Sequence, residues 1–204
     1  MKNKLRRVKG FTLTEMIVVI AIIGILAAIL APTMSTYYWK SRIKSSNSDA
    51  KMVYNAAQTS AQKCISIDRV ASDKSGLEGI VQIAYENGRF SYIPTVDSLP
   101  SPNIALSADH SGDVTEAAVA RIVSEVNRTV SGAENKCWAV YINNYIVKAC
   151  IVADTPNTTY VGQYSAGKIT VPDNRPTQSY SSWLPGGSNA SLMANLAQRY
   201  DTAS

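Results

Sequence analysis

The chain has 204 residues, 46% of them apolar and 17% charged, a balance found among ordinary globular proteins. A net charge of +5 and a pI near 9.1 suggest nucleic-acid binding, but five of the 20 basic residues (Lys2, Lys4, Arg6, Arg7 and Lys9) lie upstream of Gly10. Beyond Gly10 the chain has 15 basic and 15 acidic residues, so the global electrostatic argument for a nucleic-acid partner fails.

The first segment organises the rest. A basic decapeptide ends at Gly10, Phe11 to Glu15 (FTLTE) follows, and an unbroken apolar run extends from Met16 to Ala31 before Pro32. Phe11 to Ala31 comes to 21 residues, enough to cross a hydrocarbon core that needs about 20 helical residues. A secretory signal peptide has a shorter apolar region and a small-residue cleavage site beyond it, and neither is present here. A plain signal anchor accounts for the length and the cytoplasmic basic flank but leaves Glu15 unexplained. A carboxylate at the membrane end of a span is costly without a partner and marks a functional position.

Lys9-Gly10-Phe11-Thr12-Leu13-Thr14-Glu15 followed by the apolar run resembles the class III signal of type IV pilins and pseudopilins, over roughly residues 6–70. The resemblance implies cleavage between Gly10 and Phe11 by a membrane-embedded prepilin peptidase, N-methylation of Phe11, and Glu15 as the fifth residue after the cut. Gly24 and Pro32 fall where many pilins carry a helix-loosening Gly and Pro. The domains implied are a leader over 1–10, a membrane and filament-core helix over 11–32, and a pilin head over 33–204. The cationic amine of Phe11 and the Glu15 carboxylate of a neighbouring subunit would attract strongly in a low-dielectric bundle, where neither charge is stable alone.

Past Pro32 the spacing predicts a helix continuing to about Ile67, giving a rod of roughly 80 Å from Leu13. Ile43, Asn47, Ala50, Val53, Ala57, Ala61, Cys64 and Ile67 form one stripe, with Lys44, Asp49, Lys51 and Lys63 on the other face. Pro32 is expected to kink the helix or remove a bond from the preceding turn. Tyr37, Tyr38, Trp39, Lys40, Arg42 and Lys44 form an aromatic and basic belt suited to a membrane interface.

Leu77 to Glu86 reads two ways. Ile80, Ile83 and Ala84 suit a short helix closed by Asn87-Gly88, the preferred reading; alternatively IVQIAY and RFSYI flank Asn-Gly as a hairpin with Glu86 opposite Arg89. Pro94 to Gly112 reads as loop, and Thr115 to Val130 as an amphipathic helix with Val119, Ile122, Val123, Val126 and Val130 on one face. Cys137 to Ile142 and Tyr145 to Ala153 are β-rich around Asn143-Asn144, and Thr159 to Tyr164 and Lys168 to Val171 add a second hairpin. The expected fold is α+β: a pilin-type long N-terminal helix packed on an antiparallel meander of three or four strands, with accessory helices. On the first hairpin Trp138, Val140, Ile142, Tyr145, Val147 and Ile151 are the expected core face. A further short helix is expected around Ser191 to Tyr200.

Three cysteines allow three single pairings or an all-reduced state. With Asn143-Asn144 as the turn, Cys137 stands opposite Cys150 at a non-hydrogen-bonded position, which favours that bridge and leaves Cys64 free. The rival is a link from Cys64 to one of the strands.

Catalytic signals are sparse. His110 is the only histidine and lies beside Asp109 and Asp113 in a loop, Glu116 and Glu125 have unhelpful spacing, and no Gly-rich phosphate loop or G-x-S-x-G occurs. No enzyme activity, metal or cofactor is expected. Sequons at Asn127, Asn157 and Asn189 are at chance level.

The function implied is a structural subunit of a type IV pilus for adhesion or motility, anchored once in the cytoplasmic membrane with its N-terminus inside, then polymerised outside the cell. Expected partners are other pilin subunits, prepilin peptidase and the pilus assembly platform. The alternatives are a minor pilin or tip adhesin, with aromatics such as Tyr180, Trp183 and Tyr200 serving equally as ligand-site candidates or as core residues, or a pseudopilin of a type II secretion or competence system.

Overall fold

The computed structural model describes residues 10–68, 77, 80–86, 88–95, 114–165, 168–169, 172 and 174–184. The chain divides into two compact units, Met1–Trp39 and Lys40–Ser204. The expected loop about His110, most of Pro94 to Gly112, and the expected helix around Ser191 to Tyr200 lie outside the described residues.

Helix α1 covers Leu13–Asp68. In the first unit every large apolar side chain from Met16 to Leu30 is 45–65% exposed. A helix apolar all round is stable only inside a bundle or a membrane, and among the described residues α1 alone is long and apolar enough to cross one. From residue 40 onward the helix becomes one-sided. Ile43, Asn47, Ala50, Val53, Ala57, Ala61 and Cys64 are all buried, as their spacing predicts, whereas Ile67 is 40% exposed and falls off the stripe.

The second unit is built on one six-stranded antiparallel sheet in the order β2-β1-β3-β4-β5-β6. Strands β1 (Ile80–Glu86) and β2 (Arg89–Thr95) form a hairpin with Glu86 opposite Arg89. The helix preferred for Leu77 to Glu86 is therefore wrong, and the hairpin reading is right. β1 lies between β2 and β3, where Val81, Gln82, Ile83, Ala84 and Tyr85 are all buried. A strand covered on both faces loses the period-two alternation that distinguishes it from a buried helix. Gly88 takes φ 79°, the left-handed conformation that the turn requires.

Helix α2 (Val114–Thr129) leads to β3 (Cys137–Asn143), which pairs with β1 on one side and β4 (Ile146–Ala153) on the other. β5 (Gly162–Ser165) and β6 (Lys168–Ile169) complete the meander. The β1–β2 hairpin thus extends the expected sheet at the free edge of β3.

The sheet is covered on both sides. One face carries Val81, Ile83, Tyr85, Trp138, Val140, Val147 and Cys150, packed in one core with Ala50, Val53 and Ala57 of α1 and Val119, Ile122 and Val126 of α2. Tyr85 and Trp138, paired across β1 and β3, stack with ring centroids 5.2 Å apart. The other face is lined by small side chains (Ala84, Ala139, Ala149 and Ala153) together with Ile151, and closed by Tyr180, Trp183 and Leu184. A short 3-10 turn, Tyr180–Trp183, brings those aromatics onto it.

The β3–β4 turn sits one residue later than Asn143-Asn144. Asn144 and Tyr145 both take positive φ, at 47° and 66°. A register shift between Tyr141 and Ile142 then sets Cys137 opposite Ala153 and Cys150 opposite Val140. The expected opposition of Cys137 and Cys150 does not occur: Cys137 belongs to the core closed by Tyr180 and Cys150 to the core under α1. The bulge reverses the alternation, which also moves Ile151 off the expected face. None of the three cysteines is in a disulfide, and all three are buried.

Candidate assembly site at the N-terminal helix

Gly10 and Phe11 precede α1 and are exposed, Phe11 at 78%. Thr12 is the residue before the first helical position, and its carbonyl accepts the Met16 N–H at 3.3 Å. Its hydroxyl oxygen accepts the Glu15 N–H at 3.3 Å, while the Glu15 carboxylate accepts the Thr12 N–H at 2.8 Å. This is a capping box, in which two free amides at a helix start are satisfied reciprocally. The Thr12 hydroxyl also stands 2.8 Å from the carboxylate as a donor. The T-x-x-E spacing of Thr12 and Glu15 carries this signal in the sequence, although the sequence reading assigned Glu15 only to a partner outside the chain. Glu15 is therefore held in a fixed place at the mouth of the apolar run by its own helix.

Gly24 lies within the exposed apolar stretch, and a methyl group there would meet nothing within 4 Å. Pro32 sits inside a helix that continues through it. Its ring removes the N–H that would serve the Ala28 carbonyl. Immediately after it, the Thr33 hydroxyl donates to the Leu30 carbonyl at 2.9 Å, and the Thr36 hydroxyl lies 3.4 Å from the Pro32 carbonyl. These bonds keep the turns around Pro32 hydrogen-bonded where the backbone ladder is thinned.

Of the aromatic belt, Tyr37 and Tyr38 are exposed at 71% and 55%, while Trp39 is buried. Arg42 lies 3.9 Å from Asp154, and Lys136 binds both Asp154, at 3.5 Å, and Asp49 of α1. Burial works against the charge of Lys136, but the hydrogen bond and charge of Asp49, with Asp154, outweigh it and raise its pKa. Lys63 and Arg128 both hold Glu125, at 3.3 and 2.9 Å, and these bonds, Arg128 first, lower its pKa. The polar face of α1 is thus partly tied to the head through Asp49 and Lys63.

Three further contacts, which no sequence motif announces, fix α1 on the sheet. The Gln58 side chain accepts the Val147 N–H at 2.7 Å and donates to the Tyr145 carbonyl at 3.2 Å, gripping the β3–β4 turn. The Asn47 side chain accepts the Gln163 N–H at 2.7 Å. Beside it, a methyl group at Gly162 would fall 2.0 Å from the Ser46 carbonyl oxygen, so only glycine allows β5 this close to the helix. Of the aromatics that suited either a ligand site or the core, Tyr180 and Trp183 are buried, at 0% and 7% exposure, as the core reading has it; Tyr200 lies outside the described residues.

A family model described as the prokaryotic N-terminal methylation motif matches residues 5–31, a span that contains Gly10, Phe11, Glu15 and Gly24. No curated protein and no solved structure matches the chain. The N-terminal segment is therefore a class III prepilin signal, and with the α+β architecture it supports a type IV pilin- or pseudopilin-like protein; the motif implies processing by prepilin peptidase and assembly with other pilins.

Proposed function

We propose that the protein is a structural subunit of a type IV pilus. The observation that carries this reading is the methylation motif opening onto a helix whose large apolar side chains from Met16 to Leu30 are exposed. In this reading residues 1–10 are removed, Phe11 becomes the methylated first residue, residues 11–32 serve first as membrane span and then as filament core, and 33–204 form the head. Before assembly the N-terminus faces the cytoplasm, as the basic leader directs; afterwards the head lies in an extracellular filament. Stacking is driven by burial of the apolar helix against its neighbours. The Phe11 amine and a neighbour's Glu15 set the register, with Gly24 and Pro32 supplying local give in the helix.

Mass spectrometry of filaments sheared from the native cell tests this directly. An N-terminal peptide starting at methylated Phe11, with this chain dominating the preparation, is the expected result. The same peptide at trace level would assign the chain to a minor pilin or pseudopilin, and an uncut membrane-bound chain would overturn the reading.

A further inference from the structure

Two concave sites in the head differ in the charged groups that line them, the larger containing a carboxylate, Glu125, and the smaller none among the described residues. The larger, about 500 Å³ between α1 and α2, contains Lys63 and Glu125, which already bind each other. The smaller, about 300 Å³, opens beside β5. Its wall is apolar and packed: Ile43, Val161 and Trp183 line it and are only 1%, 5% and 7% exposed. Pro172 and Pro176 continue that wall.

Around the same pocket stand Thr159, Gln163, Thr177 and Gln178, and among the described residues none of these four side chains makes a hydrogen bond. Arg175 also lines it. Its guanidinium donates to the Tyr160 hydroxyl at 3.2 Å and has no carboxylate partner among the described residues. The pocket therefore combines a preformed apolar wall, four unused hydroxyl and amide groups, and one oriented cation.

We infer that this pocket binds a carboxylate-bearing sugar ring, a hexuronic acid, either free or as the terminal residue of a glycan. A pyranose ring offers an apolar C–H face for the wall and hydroxyls for the threonine and glutamine side chains. Its carboxylate matches the planar guanidinium fork of Arg175, which binds such groups through two parallel hydrogen bonds. A neutral sugar leaves the cation unmatched, and an apolar acid leaves the four polar side chains unmatched. The volume lies at the lower end of ligand pockets, which suits a single ring. The inference rests on the head alone and does not depend on filament assembly.

The test is titration calorimetry with saturation-transfer NMR on the full chain in detergent micelles, using glucuronate, glucose, benzoate and a glucuronate-terminated tetrasaccharide. Saturable glucuronate binding is expected, at least tenfold tighter than either glucose or benzoate. Arg175→Gln should weaken it at least tenfold without moving the melting midpoint, since the residue is exposed and outside the core. Arg175→Lys, which keeps the charge and loses the fork, should fall between. A tetrasaccharide binding more tightly than the monomer identifies a glycan terminus as the ligand; equal affinities identify the free sugar. Absence of saturable binding by both glucuronate and the tetrasaccharide up to about 20 mM would overturn the inference. So would wild-type affinity in Arg175→Gln, or benzoate binding as tightly as glucuronate.

Discussion

The Glu15 carboxylate takes both the backbone N–H and the hydroxyl of Thr12, each at 2.8 Å. Glu15 thus has two possible roles, as a helix cap within its own chain and as a charge for a neighbour, and substitutions separate them. Glu15→Gln keeps an acceptor for the cap and loses the charge, so cleavage after Gly10 should persist while filament yield collapses. Glu15→Ala should do the same and also loosen the helix start. Normal filaments from Glu15→Gln as sole subunit, seen by electron microscopy of sheared material, would leave the cap as the only role.

Thr12→Ala removes the hydroxyl and leaves the charge. Loss of an N-cap side chain costs about 1 kcal/mol, so amide exchange over the first turn of α1 should quicken about fivefold. Hydrogen-exchange mass spectrometry in micelles measures this, and exchange over α2 should not change.

Gly162 lets β5 approach the backbone of α1 at Ser46. A methyl group there would overlap the Ser46 backbone, which cannot swing aside as a side chain could. Gly162→Ala must therefore lift β5 from the helix and break the bond from Gln163 N–H to Asn47. Overpacking of this kind costs about 1–3 kcal/mol, and loss of the part-buried bond adds about 1 kcal/mol. A fall of that size in urea-unfolding free energy is expected, with Gly24→Ala, which meets nothing nearby, as the silent comparison for the head.

The parts of this fold that were legible in the sequence are those where one face is apolar and the other wet. The stripe from Ile43 to Cys64 and the valine face of α2 follow directly from their spacing, whereas the run from Met16 to Ala31, apolar all round, follows from composition. β1 was misread because burial on both faces erases alternation. The cysteine register was misread for a different reason: turn chemistry favours Asn143-Asn144, yet the turn places Tyr145, a bulky residue, at φ 66°. Gln58 grips that turn from 87 residues upstream, through a contact that local sequence does not encode. For the same reason the Asn47–Gln163 bond and the Gly162 approach emerge only in three dimensions. At the candidate assembly site the residue types and order were legible, and the reciprocal bonding of Thr12 and Glu15 was present as an unread capping pattern.

The separation of the cysteines has a chemical consequence. Burial, with Glu86 nearby, pushes the Cys137 thiol up to about 11, and burial alone pushes Cys150 higher still. Only the thiolate reacts, so at pH 8 neither should be alkylated by iodoacetamide on the minutes timescale that labels an exposed thiol. Mass spectrometry after native labelling should find Cys137 and Cys150 unmodified, and all three should label together in denaturant without prior reduction. Recovery of a Cys137–Cys150 disulfide peptide from the exported protein would contradict the β3–β4 register.

Lys136 provides a pH signature for the head. Its pKa is raised in the folded state by Asp49 and Asp154, in spite of burial. The folded protein therefore holds that proton more tightly than the unfolded chain, whose lysine titrates near about 10.4. The stabilisation is fully present below that value and is lost as pH rises through the folded pKa. Buried tyrosines such as Tyr180, also raised by burial, lose stability in the same direction, so the raw pH curve alone does not isolate the lysine. The difference between wild type and Lys136→Gln does. It should be about 1 kcal/mol at pH 8, given a partly exposed pair, and shrink toward zero above the folded pKa in urea titrations. Asp49→Asn should reproduce most of that difference, and combining the two substitutions should add little, because both remove one interaction.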